Sequence, residues 1–165
     1  LRWWANALGL TGSAFDSFLT LRGLRTLHAR LAIHERNSNA LAPWLAAQKG
    51  VQRVWYPGLP DHAGHEIARR QQSGFGAIIS LELAGGIPAV RAFVEGLELF
   101  SLAESLGGVE SLVAHPASMT HAAMDEAARE RAGISVTLVR LSIGIEEGDD
   151  LARDLTAGLE AAGRV

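Results

Sequence analysis

The chain has 165 residues, enough for one domain and an appendage, and 48% of them are hydrophobic, which suits a sizeable buried core. Its 15 basic and 18 acidic residues give a net charge of −3, which offers no electrostatic basis for binding nucleic acid. The lack of cysteine excludes disulfides and zinc–thiolate sites, and the lack of an apolar run of about 18 residues argues against a membrane span, so we expect a cytoplasmic protein.

The first 50 residues are predicted to be helical, because apolar side chains recur there at helical spacing. Ser13, at the end of a turn at residues 11–13, can cap the second helix through its hydroxyl. Pro43 should kink the third helix or begin a new one. The predicted helices span residues 1–9, 13–21 and 24–48. We interpret residues 1–50 as a helical connector to another domain.

From residue 51 onward, short strands and helices alternate with short loops. Strands are predicted at residues 51–56, 77–83, near 100, 112–114 and 136–143, and helices at 64–72, 88–96, 119–132 and 149–162. Pro88 is expected at the first position of its helix, where its missing N–H costs nothing. We therefore expect residues 51–165 to form an α+β domain with helices on one face of a mostly antiparallel sheet.

The most informative residue is Arg140, because it lies in the most apolar strand-like run, Val136–Ile143. An uncompensated charge in such a setting is costly. Side-chain alternation places Arg140 on the strand face opposite Val139 and Leu141. The strand pattern supports two hypotheses equally. Either the guanidinium binds a substrate carboxylate, or it forms an ion pair with a buried acid such as Glu82.

A second informative segment is Glu104-Ser105-Leu106-Gly107-Gly108. Its two glycines permit positive φ angles and a close approach of the backbone to a ligand, which Ser105 could also contact. An ordinary turn between two strands explains the same pattern. Together with Arg140, this segment predicts half of a site for an anionic small molecule, whose other half is missing.

The histidines do not indicate a metal site. His62 and His65 are three residues apart and His115 and His121 are six apart, and neither pair matches a recognised ligand spacing. The acids of residues 146–150 are expected to cap the last helix rather than to bind calcium. The chain also lacks the glycine pattern of a phosphate loop and the spacing of a Ser–His–acid triad. No metal site is predicted.

Eight short runs distributed over the chain form a distinctive combination. They are Gly12–Leu19, Leu21–Leu27, Gly64–Ala68, Gln71–Gly76, Leu102–Leu112, Met119–Ala122, Gly133–Ser135 and Arg140–Glu146. In combination, these runs resemble the Cys/Met-metabolism family of pyridoxal-phosphate enzymes over essentially the whole chain. The resemblance implies the C-terminal domain of a fold-type I enzyme, preceded by a long helical connector that comes from the cofactor domain.

The resemblance implies roles for four residues. Arg140 matches the arginine that binds the α-carboxylate of an amino-acid substrate, and Ser105 matches the serine beside the substrate and the cofactor-bearing lysine. Glu104 matches a glutamate associated with γ-specific chemistry, and Thr120 lies in a Met-Thr-His stretch near the site. Glu104 and Ser105 are therefore the catalytic candidates, and Arg140, Ser105 and Thr120 the substrate-binding ones.

The implied activity is transsulfuration. Val109, His115 and the order Ala103-Glu104-Ser105 favour the bacterial branch that forms cystathionine from an O-acylhomoserine and cysteine, a step of methionine biosynthesis. The alternatives are γ-elimination of cystathionine, since that branch shares the glutamate, and a stand-alone remnant without catalysis.

The resemblance implies that the cofactor side of the site lies elsewhere. The family's Schiff-base lysine belongs to an N-terminal domain, and the one lysine of this chain, Lys49, matches no such motif. Since the cofactor needs that lysine as its covalent anchor, we expect this chain alone to bind no pyridoxal phosphate and to be inactive. The expected partners are the N-terminal cofactor domain and amino-acid substrates, in a homotetramer, with no nucleic acid and no membrane.

Overall fold

The structure is a computed structural model that describes residues 1–10 and 12–165. The predicted turn at residues 11–13 includes Thr11, which lies outside the described residues. Ser13 caps the second helix as predicted, because its Oγ accepts a hydrogen bond of 3.0 Å from the Asp16 N–H. The N-terminal helices are α1 (Arg2–Leu8), α2 (Ala14–Arg25) and α3 (Leu27–Ala46).

The junction between α2 and α3 differs from the prediction, which began a helix directly after Gly23. Instead α2 continues through Gly23 and the break falls at Thr26, where the Gly23 carbonyl accepts a 2.7 Å hydrogen bond from Arg30 Nη2. Pro43 lies inside α3 without ending it. Burial of Leu41 and Leu45 on either side of Pro43 offsets the hydrogen bond that proline removes.

The sheet has five strands in the order β1-β2-β5-β4-β3. Every neighbouring pair is antiparallel except β3 and β4, which are parallel, so the prediction of a mostly antiparallel sheet is confirmed. In register, Arg140 lies between Ser80 of one neighbouring strand and Ala114 of the other. The strands are β1 (Val51–Trp55), β2 (Ile78–Leu83), β3 (Ser101–Leu102), β4 (Leu112–Ala114) and β5 (Leu138–Ser142).

The hydrophobic core lies between one face of this sheet and three helices. The later helices are α4 (His65–Gln71), α5 (Gly86–Glu95), α6 (Glu126–Arg131) and α7 (Gly148–Ala162). Buried apolar residues of α3, α5 and α7, among them Leu45, Phe93 and Leu155, belong to one cluster with Ile79, Leu81, Val139 and Leu141. The α+β fold is therefore the predicted one, and the opposite sheet face carries Arg140.

Two helices begin at places that the sequence did not indicate. α5 begins at Gly86, so Pro88 is its third residue rather than its first; the first turn of a helix tolerates proline because its N–H groups have no partner within the helix. The predicted helix 119–132 is reduced to α6. The Asp125 backbone is extended, and its side chain accepts a 2.7 Å hydrogen bond from the Ala128 N–H, which fixes the start of α6 there.

The helical connector meets the sheet only through its second half. α3 contributes Leu41, Ala42 and Leu45 to the core, whereas the described residues of α1 and α2 include no buried side chain. The division into a connector at residues 1–50 and a domain at residues 51–165 stays a prediction.

Candidate active site

Arg140 lies at the centre of the sheet, on β5, and its side chain fastens a loop to the open sheet face. Its Nη2 donates hydrogen bonds to the carbonyl oxygens of Glu104 at 3.0 Å and Ser105 at 3.1 Å. Its Nε is buried and has no hydrogen-bond partner within the part of the chain that the structure describes. A buried guanidinium N–H without a partner is costly, which makes Arg140 suited to accept an anionic ligand.

No carboxylate in residues 1–10 and 12–165 forms a salt bridge with Arg140. Glu82, considered above as its ion-pair partner, is paired in register with Leu138 on the neighbouring strand. The hydrogen bonds of the guanidinium described above are to neutral carbonyl oxygens, so no carboxylate of the described residues neutralises its positive charge. The geometry thus supports the ligand hypothesis for Arg140 over the structural ion pair.

The segment 104–108 forms a loop between β3 and β4. Gly107 has a φ of 75°, the conformation that its glycine predicted, and its N–H donates a 2.9 Å hydrogen bond to the Oγ of Ser142 on β5. The side chains of Glu104 and Ser105 are exposed, and neither makes a hydrogen bond to another described residue. The loop thus brings two residues close to Arg140 whose carboxylate and hydroxyl are exposed and without a hydrogen-bond partner among the described residues.

Thr120 lies on the turns that follow β4. Its hydroxyl forms a 2.8 Å hydrogen bond with Nδ1 of His121, and the structure gives it no bond to Arg140 or to the loop 104–108. His115, in the same region, contacts Ser118 Oγ at 2.7 Å and the Val136 carbonyl oxygen at 2.9 Å. The structure therefore brings together Arg140, Glu104 and Ser105, whereas Thr120 stays a prediction.

His62 and His65 also have structural partners. His62 Nδ1 accepts a hydrogen bond from the Gly64 N–H at 3.0 Å, and His65 Nδ1 contacts the Pro57 carbonyl oxygen at 2.8 Å. No group of three or more His, Asp or Glu side chains in the described residues is arranged to hold a metal ion. None of the described helices has the length and apolarity needed to cross a membrane.

The sequence of the chain matches a known family almost from end to end. Residues 1–160 match the family model described as Cys/Met metabolism PLP-dependent enzyme. The chain belongs to this family. The resemblance inferred from the eight sequence runs is thereby confirmed, and pyridoxal phosphate is the cofactor of the family.

Several individual members of the family are similar to this chain. The cystathionine γ-synthase of Escherichia coli K12 is 56% identical, over 99% of this chain and 42% of that protein. The cystathionine γ-lyase of Dictyostelium discoideum is 47% identical, over 97% of this chain and 41% of that protein. A crystal structure of cystathionine γ-synthase from Xanthomonas oryzae pv. oryzae in complex with cystathionine is 65% identical, with a TM-score of 0.91, over 98% of this chain and 42% of that one. The chain thus spans about 42% of the length of these relatives.

The family's cofactor needs a lysine, and the structure shows where the lysine of this chain lies. Lys49 is exposed at the end of α3, next to Gly50, whose carbonyl oxygen accepts a hydrogen bond from the Ala84 N–H at 2.8 Å. Arg140 is paired with Ser80, four residues from Ala84 and so roughly 13 Å away along β2. Among the described residues, Lys49 therefore lies apart from the guanidinium of Arg140.

Five residues support the candidate site through contacts that the sequence did not indicate. Glu146 was expected to help cap α7, yet its carboxylate binds Ser111, and the N-cap residue of α7 makes no side-chain hydrogen bond. Ser111 and Glu146 do fall within the runs that indicated the family. Because their contact joins positions 35 residues apart, the local pattern could not reveal it. The five residues are His34, Asn37, Ser111, Ser142 and Glu146.

Proposed function

We propose that this chain forms the substrate-carboxylate side of a PLP-dependent transsulfuration enzyme of the γ-synthase type. The observation that carries the proposal is the guanidinium of Arg140, which has no carboxylate partner among the described residues and is bound to the backbone of Glu104 and Ser105. The side chains of these two residues are exposed and make no hydrogen bond to another described residue. In the proposed reaction, the sulfur of cysteine forms a C–S bond to Cγ of an O-acylhomoserine. The Cγ–O bond breaks, the acid leaves with the thiol proton, and cystathionine is the product.

Arg140 is the proposed anchor for the substrate. Guanidinium groups bind carboxylates through two parallel hydrogen bonds, and the buried Nε of Arg140 lacks a hydrogen-bond partner among the described residues. The carbonyl oxygens of Glu104 and Ser105 already hold Nη2, so the fork loses little conformational freedom when the substrate binds. The α-carboxylate would thereby fix the amino acid beside the loop.

The loop side chains would act on the bound substrate. The carboxylate of Glu104 can accept a hydrogen bond from the amine of the incoming amino acid or assist proton transfer at the distal end of the substrate. Ser105 supplies a hydroxyl next to Glu104, and Thr120 is retained as a proposed substrate contact. When bound, pyridoxal phosphate supplies the electron sink that stabilises negative charge on the substrate carbon.

The remaining parts of the proposal concern the complete enzyme. We place the cofactor lysine in an N-terminal domain that is joined through residues 1–50, and we propose a homotetramer in the cytoplasm. The cysteine-free composition supports that location. The family membership supports a partner domain, since the chain spans about 42% of the length of its relatives.

The second candidate is γ-elimination of cystathionine. The observation that favours it is the 47% identity to a cystathionine γ-lyase, only nine percentage points below that to the γ-synthase. The higher identities to synthases, 56% and 65%, favour γ-replacement. A stand-alone remnant without catalysis is the remaining alternative.

Glu104→Ala in the full-length enzyme tests the proposed reaction. Rates of γ-replacement from an O-acylhomoserine and cysteine, γ-elimination and β-elimination are measured with purified wild type and variant. We expect γ-replacement to be the fastest wild-type reaction and to fall at least tenfold more than β-elimination in the variant, because general acid–base groups contribute about 10²–10⁴-fold. Glu110→Ala, an exposed acid of the same loop, should change no ratio. Equal proportional losses in all three reactions would contradict a specificity role, and a faster wild-type γ-elimination would favour the lyase.

A further inference from the structure

The carboxylate of Glu146 connects the end of β5 to the end of the loop that carries Glu104 and Ser105. Its Oε1 accepts a 2.7 Å hydrogen bond from the Ser111 N–H, and its Oε2 accepts one of 2.9 Å from the Ser111 hydroxyl. The Ser111 oxygen in turn accepts a 2.8 Å hydrogen bond from the Gly144 N–H. Ser111 is fully buried and Glu146 is partly buried, so these three hydrogen bonds are partly shielded from water.

The backbone of the loop lies directly against the chain that leads from β5 to Glu146. The Ile145 N–H donates a 2.9 Å hydrogen bond to the Val109 carbonyl oxygen. A Cβ added to Gly144 would lie 2.5 Å from that same oxygen, so only glycine permits this approach. The segments 109–111 and 144–146 therefore form one unit.

This unit is attached to the core through α3. The buried ring of His34 donates through Nδ1 to the Ile143 carbonyl oxygen at 2.6 Å. The amide of Asn37 donates to the carbonyl oxygens of Gly144 at 3.1 Å and Glu146 at 2.9 Å. The position of the Glu146 carboxylate is thus set by the rigid part of the molecule and not by the loop itself.

The loop residues nearest to Arg140 are held by fewer bonds. Among the described residues, the hydrogen bonds that tie this part of the loop to β5 are those of Gly107 with Ser142 and of the Glu104 and Ser105 carbonyl oxygens with Arg140. If the end of the loop at Ser111 is released, these few hydrogen bonds alone must hold the middle of the loop in position over the sheet. A displacement of about 1 Å at a reacting group is enough to lower a rate by about 10²-fold.

We propose that Glu146 is a positioning residue that fixes the loop 104–111, and hence Glu104 and Ser105, over Arg140. It acts through Ser111 and does not itself touch the substrate. The part of this inference that concerns catalysis rests on the proposed function, because it takes Glu104 and Ser105 as reacting side chains. The part that concerns the loop rests on the hydrogen bonds alone.

Glu146→Gln in the full-length enzyme tests the inference. Glutamine keeps the size of the side chain and one oxygen for the Ser111 N–H, but its NH2 group cannot accept the Ser111 hydroxyl proton. We expect amide hydrogen exchange in residues 104–111 to become at least tenfold faster. We also expect kcat for γ-replacement to fall at least tenfold while KM changes less than threefold, since Arg140 stays fixed by β5. In a Ser111→Ala background, Glu146→Gln should add less than a twofold effect.

Asp154→Asn is the matched control, because the Asp154 carboxylate also binds backbone N–H groups, but those of Glu98, Leu99 and Phe100. This variant should accelerate exchange in residues 98–100 only and leave kcat unchanged. Unchanged exchange in residues 104–111 of Glu146→Gln would overturn the inference, whether or not the enzyme performs γ-replacement. A fall in stability with kcat unaffected would reduce Glu146 to a structural role. A wild-type enzyme without γ-replacement would instead refute the proposed function, and the exchange result would still decide the positioning of the loop.

Discussion

At the residue scale, Arg140 is the proposed link between the sheet and a ligand. Its strand position makes it half-buried, its Nε has no described partner, and its Nη2 contacts only two carbonyl oxygens. Lysine at this position would keep the positive charge but not the two-pronged geometry. We predict that Arg140→Lys in the full-length enzyme weakens amino-acid binding by about 2–5 kcal/mol, measured as a substrate dissociation constant by titration.

The control for this substitution is Arg53→Lys. Arg53 also lies on the sheet, but its guanidinium lies over the Trp55 ring at 4.8 Å, on the edge strand β1. Its replacement should leave substrate binding unchanged. If Arg140→Lys lowered the folded fraction while substrate binding per folded molecule stayed at the wild-type value, Arg140 would be a structural residue.

Tyr56 gives a prediction for the pH dependence of stability. Its side chain is 1% exposed, and its hydroxyl lies 2.9 Å from Asn39 Oδ1 and 3.0 Å from the Gly76 carbonyl oxygen. Burial, and secondarily the nearby carboxylate of Glu35, raises the pKa of Tyr56 in the folded state. The neutral phenol therefore stabilises the fold below the unfolded pKa of about 10, and this contribution is lost as the pH rises above that value.

The variant Tyr56→Phe isolates this effect, because Tyr56 is the one tyrosine of the 165 residues. Near pH 7 we expect the variant to be less stable by about 1 kcal/mol, through the lost hydrogen bond. Above pH 10 the difference should shrink, since only the wild type releases a phenolic proton on unfolding. Denaturant unfolding at pH 7, 9 and 11 measures the difference in unfolding free energy between the wild type and the variant. A difference that stays constant over this range would contradict the raised pKa.

At the scale of elements, patterns that depend on neighbouring positions were predictable from the sequence. Alternation in β5 correctly placed Val139 and Leu141 in the core and Arg140 on the other face, because a strand alternates its side chains whatever surrounds it. The predicted ends of α4 and α7 likewise lie within one residue of the observed ones. These parts of the fold need only local information.

The elements that were mispredicted depend on contacts or on single capping bonds. Residues 119–132 have a composition that suits a helix throughout. Because the side chain of Asp125 caps the helix, α6 nevertheless begins only at Glu126. The bonds of Glu146 to Ser111 and of Asn37 to Gly144 cross 35 and 107 positions of sequence. No periodicity records such a contact, so the residues of the site could be named from the family pattern but their supports could not.

Asp154 shows how one side chain holds two elements together. It lies on α7, is 7% exposed, and accepts hydrogen bonds of 2.7–3.1 Å from three consecutive backbone N–H groups at Glu98, Leu99 and Phe100. Alanine would leave these N–H groups without their acceptor. We predict that Asp154→Ala lowers the free energy of unfolding by about 3 kcal/mol, measured by denaturant titration.

A second acid of the same helix supplies the comparison. Asp150 is exposed and pairs with Arg153 at 2.7 Å, so Asp150→Ala should cost less than about 1 kcal/mol. A similar loss in both variants would mean that the general charge of α7, and not the three backbone bonds, determines the stability. In that case Asp154 would not connect α7 to the segment before β3.

At the scale of the whole molecule, the two parts of the chain differ in how far their apolar side chains are buried. From Leu41 onward the buried large apolar side chains form one core, whereas the first two helices expose theirs to solvent. Trp3 and Phe15 are 69% and 68% exposed, and Trp4 and Phe18 are nearly as open. Apolar patches beyond about 600 Å² are uncommon on soluble monomers, so this surface is suited to contact another part of the proposed enzyme.

We predict that the 165-residue chain self-associates on its own and becomes monodisperse only beside the proposed N-terminal cofactor domain. Sedimentation velocity of the purified chain, with and without that domain, measures both states. The double variant Phe15→Ser and Phe18→Ser serves as a control, because it removes apolar surface from α2 without touching the core, and it should reduce self-association and weaken binding of the domain together. A monomeric chain with a cooperative melt and no affinity for the domain would contradict this assembly and would favour the non-catalytic remnant, since the exposed helices would then serve no partner.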